Sequence, residues 1–434
     1  MEKPDSTSYD PLTGLPEYSS FLLSARKLLP NLESGTRLGL SITRISNYRY
    51  INLHFGDEII KQILLDFKTS ILSDNPDILL SARVYEGILL CLLRLDHNIS
   101  AKDCKNTITR LNQSFMKKYA VQKQLHVSLH TGFYIFDYSG QRIEQIVSNA
   151  NLAMETAEQK QLICHAYDEK LDLQNLKEMD IIHRFPEALK NDEFQVFLQP
   201  KISAKTMKIA EAEALVRWFP KDGAVIYPND FIGILEESGN IGTLDFHLYE
   251  KVFSYLYQRM EQDLPVVPIS LNVSRRQLDN PDKFLRKIQA LFEKYPIPPS
   301  FIELELTESL SMQDYDTAYK FMISLKNMHL KISMDDFGSG YSSISTLANL
   351  PIDILKLDKA LLDEAEYFPK KRIIISTILD MAKSMELNTV CEGVETELQV
   401  DFLKEAGCDY LQGFYFSRPV DMETFNQLLE QDCA

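Results

Sequence analysis

The sequence predicts a two-domain α/β protein, with a smaller N-terminal α/β domain followed by a (β/α)8 barrel of the TIM type. Its 434 residues exceed what a single core usually holds. Past residue 186, short apolar runs of β character alternate with longer amphipathic stretches, as a parallel sheet with crossover helices requires. Eight such runs fall within about 250 residues, the length in which a barrel of this kind closes.

The barrel runs are 196–200, 210–218, 268–273, 301–307, 331–334, 352–357, 388–392 and 410–416. Helical spacing of apolar residues marks 244–259, 281–294, 315–328, 370–385 and 397–406 between them. The link from Gln199 to Ala210 is too short for a crossover helix, so the first strand is expected to enter antiparallel to the second. Leucines and charges at helical spacing over 168–185 predict a connecting helix, which sets the domains at 1–167 and 186–434. In the N-terminal domain, 38–45, 80–84, 88–93 and 127–136 read as strands, with helices at 58–70 and 101–118.

Composition narrows the function classes. The sequence has no apolar run of the ~18–20 residues a membrane span needs. The opening MEKPDSTSYDPL has no apolar stretch behind its charges, so neither a secretion signal nor a sensor region ahead of the first domain is expected. Six scattered cysteines without a C-x-x-C pair point to reduced thiols and a cytoplasmic protein. Eight dispersed histidines show no ligand spacing, so any metal must be held by oxygen, which favours magnesium or manganese. A net charge of −16 argues against binding to long nucleic acid.

Strands of a closed parallel barrel are buried on both faces and should be almost continuously apolar. Here the runs are broken at or near their C-terminal ends by Glu213, Asn272, Glu305, Asp335 with Asp336, Lys356 with Asp358, Glu392 and Gln412. Barrel enzymes place their chemistry at that rim. Any one of these residues could be a turn or helix cap, and the Asp335–Asp336 pair could cap the next helix. Their recurrence on most strands of one barrel instead implies a shared site. Converging buried carboxylates repel one another and lose hydration, and divalent cations relieve both costs. Four or five carboxylates with one amide suffice for two hard ions, which at roughly 3.5–4 Å separation suit in-line attack at phosphorus. Lys356 would stand beside them as a cation or proton-handling group.

The same residues carry a family pattern. The segments LQPK (198–201), EALVRW (213–218), SLNVS (270–274), ELTES (305–309), DDFGSGYSS (335–343), LKLDK (355–359), EGVET (392–396) and QGFYFSRP (412–419) occur in this order. From about 182 to 420 the chain thereby resembles the EAL domain of cyclic-di-GMP phosphodiesterases. The resemblance implies that Glu213, Asn272, Glu305, Asp335, Asp336 and Glu392 bind two Mg²⁺ or Mn²⁺ ions, and that Lys356 orients or polarises the attacking water. It assigns Gln199, Arg217 and Gln412 to the substrate or water, Glu308 to the loop after strand five, and Asp358 and Glu395 to supporting positions. Gly338 and Gly340 fit the tight path of that loop, which is expected to close over the site and to mediate a homodimer. Two residues depart from the pattern. Glu211 replaces a glycine and is expected to put a charge near the site entrance, and Cys391 replaces a small residue.

The N-terminal half resembles a GGDEF domain, the diguanylate cyclase fold, through DPLTGLPEYSSF (10–21), FGDEIIKQI (55–63) and ARVYEGILLCLL (82–93). Its signature positions read Tyr85, Glu86, Gly87, Ile88 and Leu89, and Arg44 stands where the first-strand aspartate would hold metal. The segment between Asn52 and Gly56 is shortened, and Pro76 and Leu79 replace the R-x-x-D inhibitory pair. A degenerate domain that makes no cyclic dinucleotide and serves regulation or dimerisation is expected.

The expectation for the whole is hydrolysis of cyclic-di-GMP to linear pGpG, with Ca²⁺ filling the site but supporting poor turnover. Two alternatives stay open at this point: a receptor that binds cyclic-di-GMP without cleaving it, and a phosphodiesterase for another cyclic dinucleotide.

Overall fold

The computed structural model describes residues 8–72, 76–123, 125–221, 223–307, 315–338, 347, 349–365 and 368–433. The chain divides into two compact units, Met1–Lys177 and Glu178–Ala434. In the first unit, α1 (Tyr18–Leu28) precedes β1 (Arg37–Ile45), α2 (Tyr48–Phe55) and α3 (Asp57–Phe67). There follow β2 (Ile78–Arg83), β3 (Ile88–Arg94), α4 (Ala101–Lys123), β4 (Leu129–Asp137), α5 (Ile143–Gln159) and β5 (Cys164–Ala166). The sheet order is β2-β3-β1-β4-β5, antiparallel except for the β4–β5 pair. Side chains alternate across the sheet, so Leu38, Leu40 and Ile42 face one core with Ile146 and Met154, while Leu89 and Cys91 face a second with Phe67 and Phe115. β5 has only three residues, too few for the alternation to register in the sequence.

The connecting helix α6 spans Glu169–Lys190 and so runs beyond the expected 185, through Pro186. Packing carries it past that proline. Ile181, Phe185 and Ala188 are buried in one cluster with Phe194, Trp218 and Phe231.

The second unit continues with β6 (Phe194–Ser203), β7 (Ile209–Trp218), α7 (Pro228–Glu237), α8 (Ile241–Glu261), β8 (Ile269–Asn272) and α9 (Pro281–Lys294). Next come β9 (Ile302–Thr307), α10 (Tyr315–Asn327), β10 (Lys331–Phe337), β11 (Ile354–Leu357), α11 (Lys359–Leu362) and α12 (Pro369–Ser384). The chain ends with β12 (Asn388–Cys391), α13 (Glu397–Glu405), β13 (Tyr410–Leu411), β14 (Val420–Asp421) and α14 (Met422–Cys433). Strands β7 to β13 are parallel neighbours in sequence order. β6 lies antiparallel between β7 and β13 and closes the eight-stranded barrel, as the short hairpin link requires. β14 adds an outer pairing to β6 that is only two residues long. The expected eighth strand over 410–416 shrinks to Tyr410–Leu411, because the chain turns at Gly413.

Helices cover the barrel through Phe253, Phe284, Phe321 and Leu379, which pack on Leu271, Leu304 and Leu355. Among the described residues no helix is long and apolar enough to cross a membrane.

Candidate metal centre

Inward residues of β7, β9 and β10, with Glu392 just past β12, converge on the ammonium of Lys356 on β11. Lys356 Nζ lies 2.6 Å from Glu305 Oε2, 2.6 Å from Glu392 Oε1, 2.9 Å from Asp335 Oδ1 and 3.6 Å from Glu213 Oε2. Asn272, at the end of β8, donates to Glu213 Oε1 at 3.0 Å. Gln412, just past β13, donates to Glu213 Oε2 at 2.7 Å and to Gln199 Oε1 at 3.1 Å. Gln199 faces Glu213 across the β6–β7 pair and donates to the Ser417 carbonyl at 3.1 Å. Residues from all eight barrel strands or their ends therefore meet in one place.

β10 presents two consecutive acids through a register break against β11 between Met334 and Phe337. At this irregularity Asp336 takes the left-handed region, φ 59°, which a bulge uses to re-aim its side chains. Gly338 follows at φ 96°, where an added Cβ would lie 2.4 Å from Leu361 Cδ1. Glu308, Gly340 and residues 339–346 of the expected closing loop lie outside the described residues.

The electrostatics show too much acid for one lysine. Burial lowers the affinity of Lys356 for its proton, but Glu213, Glu305, Glu392 and Asp335 outweigh it and hold the ammonium well above the usual lysine range. Burial pushes Glu392 up to about 8, with Glu213, Asp335 and Glu305 adding to it against Lys356. Glu213 is raised by burial and then by Glu305. Asp336 is raised by burial, Asp335 and Asp358. Glu305 behaves oppositely: burial raises it, yet Lys201 and Lys356 together hold it at about 2. Among the described residues no three acid, histidine or cysteine side chains surround a position ready for a metal, because the acids close on the lysine instead. The donor set still fits a hard cation. It is rich in carboxylate oxygen, carries more negative than positive charge, and includes Gln412 Oε1, a buried atom with no hydrogen-bond partner among the described residues.

The remaining expected residues sit outside this cluster. Arg217 lies further along β7, stacked near Phe197 and Tyr227 with its guanidinium 5.7 and 5.9 Å from their ring centres, and burial lowers its pKa. Asp358 caps α11 by accepting from the Ala360 N–H at 2.8 Å. Glu395 pairs with Lys359 at 2.5 Å on an exposed face. Glu211 does not stand at the entrance, which corrects the expectation for it. β7 runs parallel toward the rim, so Glu211 lies below Glu213, where it is buried and paired with Lys331 at the start of β10, 3.2 Å away. Cys391 is buried, which pushes its thiol well above the usual range.

Sequence reasoning missed a second charged layer in the barrel. Lys201 on β6 is fully buried, with Nζ 3.0 Å from Glu305 Oε1 and 3.3 Å from Glu303 Oε1. A period of two was the available signal. Glu303 shares the face of Glu305, and Lys201 shares that of Gln199.

A cleft of about 570 Å³ opens beside the acids, lined by Asn272, Asp335, Asp336, Thr307, Asn229 and Asp245 among others. Asp245 accepts from Gln277 Nε2 at 2.8 Å, and burial pushes its carboxyl up to about 7. The native state thus keeps a proton that the unfolded chain releases near pH 3.8. Stability should fall between about pH 4 and 7 and level off above. Asp245→Asn is expected to remove that slope and to gain on the order of 2–4 kcal/mol at pH 8. Urea melts from pH 4 to 8 check it, and parallel profiles for the two proteins would reject it.

The family model for the EAL domain matches residues 182–419, and that for the diguanylate cyclase, GGDEF domain matches residues 7–162. The signaling protein YkoW of Bacillus subtilis (strain 168) is 30% identical over 428 residues, covering 97% of this chain and 53% of its own length. The cyclic di-GMP phosphodiesterase NbdA of Pseudomonas aeruginosa is 26% identical over 428 residues, covering 97% of this chain and 54% of its own. A solved PaMucR phosphodiesterase in complex with c-di-GMP superposes with a TM-score of 0.54 at 30% identity, over 57% of this chain and 99% of that one. The chain spans about half the length of the curated relatives it matches.

Proposed function

We propose that this chain, which belongs to the EAL domain family, hydrolyses one phosphodiester bond of cyclic-di-GMP to give linear pGpG. The observation that carries the reading is the surplus of buried carboxylate around Lys356 at the barrel rim, beside an open cleft. Glu213, Asn272, Glu305, Asp335, Asp336 and Glu392 would hold two Mg²⁺ or Mn²⁺ ions. Bound there, divalent ions supply stabilisation of charge on the phosphoryl oxygens and ease deprotonation of water.

The chain's own residues do the rest. Lys356 holds its proton firmly, so it acts as a fixed cation and donor toward the reacting oxygen. Gln412 holds the Glu213 carboxylate in place, Gln199 in turn holds Gln412, and the two present amide groups to the substrate. Arg217, stiffened by its two aromatic neighbours, is suited to a substrate phosphate. Ca²⁺, larger and looser in geometry, is expected to occupy the site with little turnover. A homodimer through the barrel and a cytoplasmic setting complete the reading.

The N-terminal domain is read as a degenerate, regulatory GGDEF domain. Three contacts support this. Arg44 is tied to Glu158 at 2.5 Å, and the Arg83 guanidinium donates to the Glu86 carbonyl and to Asp10, tying down the signature turn.

The test incubates the full chain with cyclic-di-GMP and Mg²⁺ or Mn²⁺ and follows products by chromatography, with Glu213→Ala as control. Linear pGpG is expected only from the intact site. Tight binding without product in either metal would instead make the protein a receptor. Faster turnover of another cyclic dinucleotide, run side by side, would change the substrate and keep the chemistry.

A further inference from the structure

The expected ligand Glu305 is held at both oxygens. Oε2 meets Lys356 at 2.6 Å, within the site, and Oε1 meets Lys201 at 3.0 Å, from beneath it. Lys201 belongs to β6, the antiparallel strand, and this direction is what places it there. Across the β6–β7 pair, Gln199 stands opposite Glu213 at the level of the site, while Lys201 stands opposite Glu211 one layer deeper. At 0% exposure its ammonium has no access to bulk water, and its acid partners are Glu303 and Glu305. The layer below is otherwise closed by the Glu211–Lys331 pair.

A glutamate side chain with one oxygen free can rotate, and a metal ligand that rotates binds weakly. We propose that Lys201 is a positioning residue for the barrel's reaction centre, pinning Glu305 Oε1 from the floor so that Oε2 points into the site. Glu303 is the anchor for Lys201, 3.3 Å away, and keeps the ammonium centred under Glu305. The inference rests on the phosphodiesterase reading of the same site and adds a residue that acts through another. It predicts a loss in metal affinity and turnover, with the substrate KM nearly unchanged.

The test uses the full chain, Lys201→Met, and the double variant Lys201→Met/Glu303→Gln, in which no second unpaired carboxylate is left in the core. Folding is followed by circular dichroism, Mn²⁺ binding to substrate-free protein by titration calorimetry, and kcat and KM by product chromatography. Loss of an outer partner of a metal ligand typically weakens metal binding about 10–100-fold. Both variants are expected to bind Mn²⁺ at least about tenfold more weakly, with kcat reduced and KM within about twofold of wild type. If Lys201 only filled and neutralised the core, the double variant would regain wild-type Mn²⁺ affinity, and that result overturns the proposal. Wild-type affinity in folded Lys201→Met overturns it as well. A wild-type protein that takes up no Mn²⁺ removes the phosphodiesterase reading itself, and this inference with it.

Discussion

Lys356→Met should reduce kcat by roughly 10²–10⁴-fold and destabilise the metal-free protein by about 3–5 kcal/mol. Lys356 is 1% exposed and is the cation common to Glu213, Glu305, Asp335 and Glu392. Methionine has similar length and no charge, so packing is kept while four acids lose their shared partner. The acids can relieve their repulsion only by taking up protons, so the destabilisation should grow as pH rises from about 5 to 8. Mn²⁺ should restore part of the stability, because it replaces the missing positive charge. It should not restore kcat, because the ammonium's role toward the reacting oxygen is gone. Urea melts with and without Mn²⁺, paired with chromatographic rates, separate the two effects. Wild-type turnover in this variant would remove Lys356 from the chemistry.

Gly413→Ala is expected to be nearly as damaging, although Gly413 carries no functional group. A Cβ built there would stand 2.1 Å from the Val394 carbonyl oxygen and 2.3 Å from its nitrogen. The obstacle is backbone, so no side-chain rotation can relieve it. The same two segments are joined by Val394 N–H to the Gln412 carbonyl and by Tyr415 N–H to the Val394 carbonyl, each at 3.0 Å. Making room for one methyl group therefore parts the end of β12 from the turn after β13 and moves Glu392 and Gln412 relative to each other. Overpacking of this kind costs typically 1–3 kcal/mol and more where backbone must shift. Activity should fall at least about 100-fold, since about 1 Å of misplacement at a site is enough for that. A Gly413→Ala protein with wild-type kcat and melting would mean that the two segments separate freely, contrary to their contacts.

The acids of the rim were legible because a buried parallel strand has a strong apolar expectation, and each of Glu213, Glu305, Asp335 and Glu392 interrupts it. The reversal of β6 was legible from the short link alone. Glu211 was misplaced for a geometric reason. Two residues on a strand span about 6–7 Å, and the sequence does not mark which level faces the entrance. Lys201 went unrecognised because a lysine near a strand end ordinarily reaches solvent. Only closure of the barrel puts Glu303 and Glu305 across from it. The close approach at Gly413 depends on two loops meeting that are nineteen residues apart, and no local pattern records it. β14 is too short to show a period, and α6 outran its expected end because burial of Phe185 and Ala188 outweighs the local cost of Pro186.

The hairpin that joins β6 to β7 has a practical consequence. Because β6 runs against its neighbours, this turn opens at the end of the barrel away from the acids. Lys205, Thr206 and Met207 are exposed there, with Met207 already in the left-handed region at φ 57°. Lys208 and Ile209 are tied to Asp432 of α14, so the tip can be altered while its base stays clamped. A fluorophore or short epitope inserted at 205–207 would therefore sit at the opposite end of the barrel from the reaction centre. Such a handle would allow the barrel to be labelled or immobilised without touching the residues of its reaction centre.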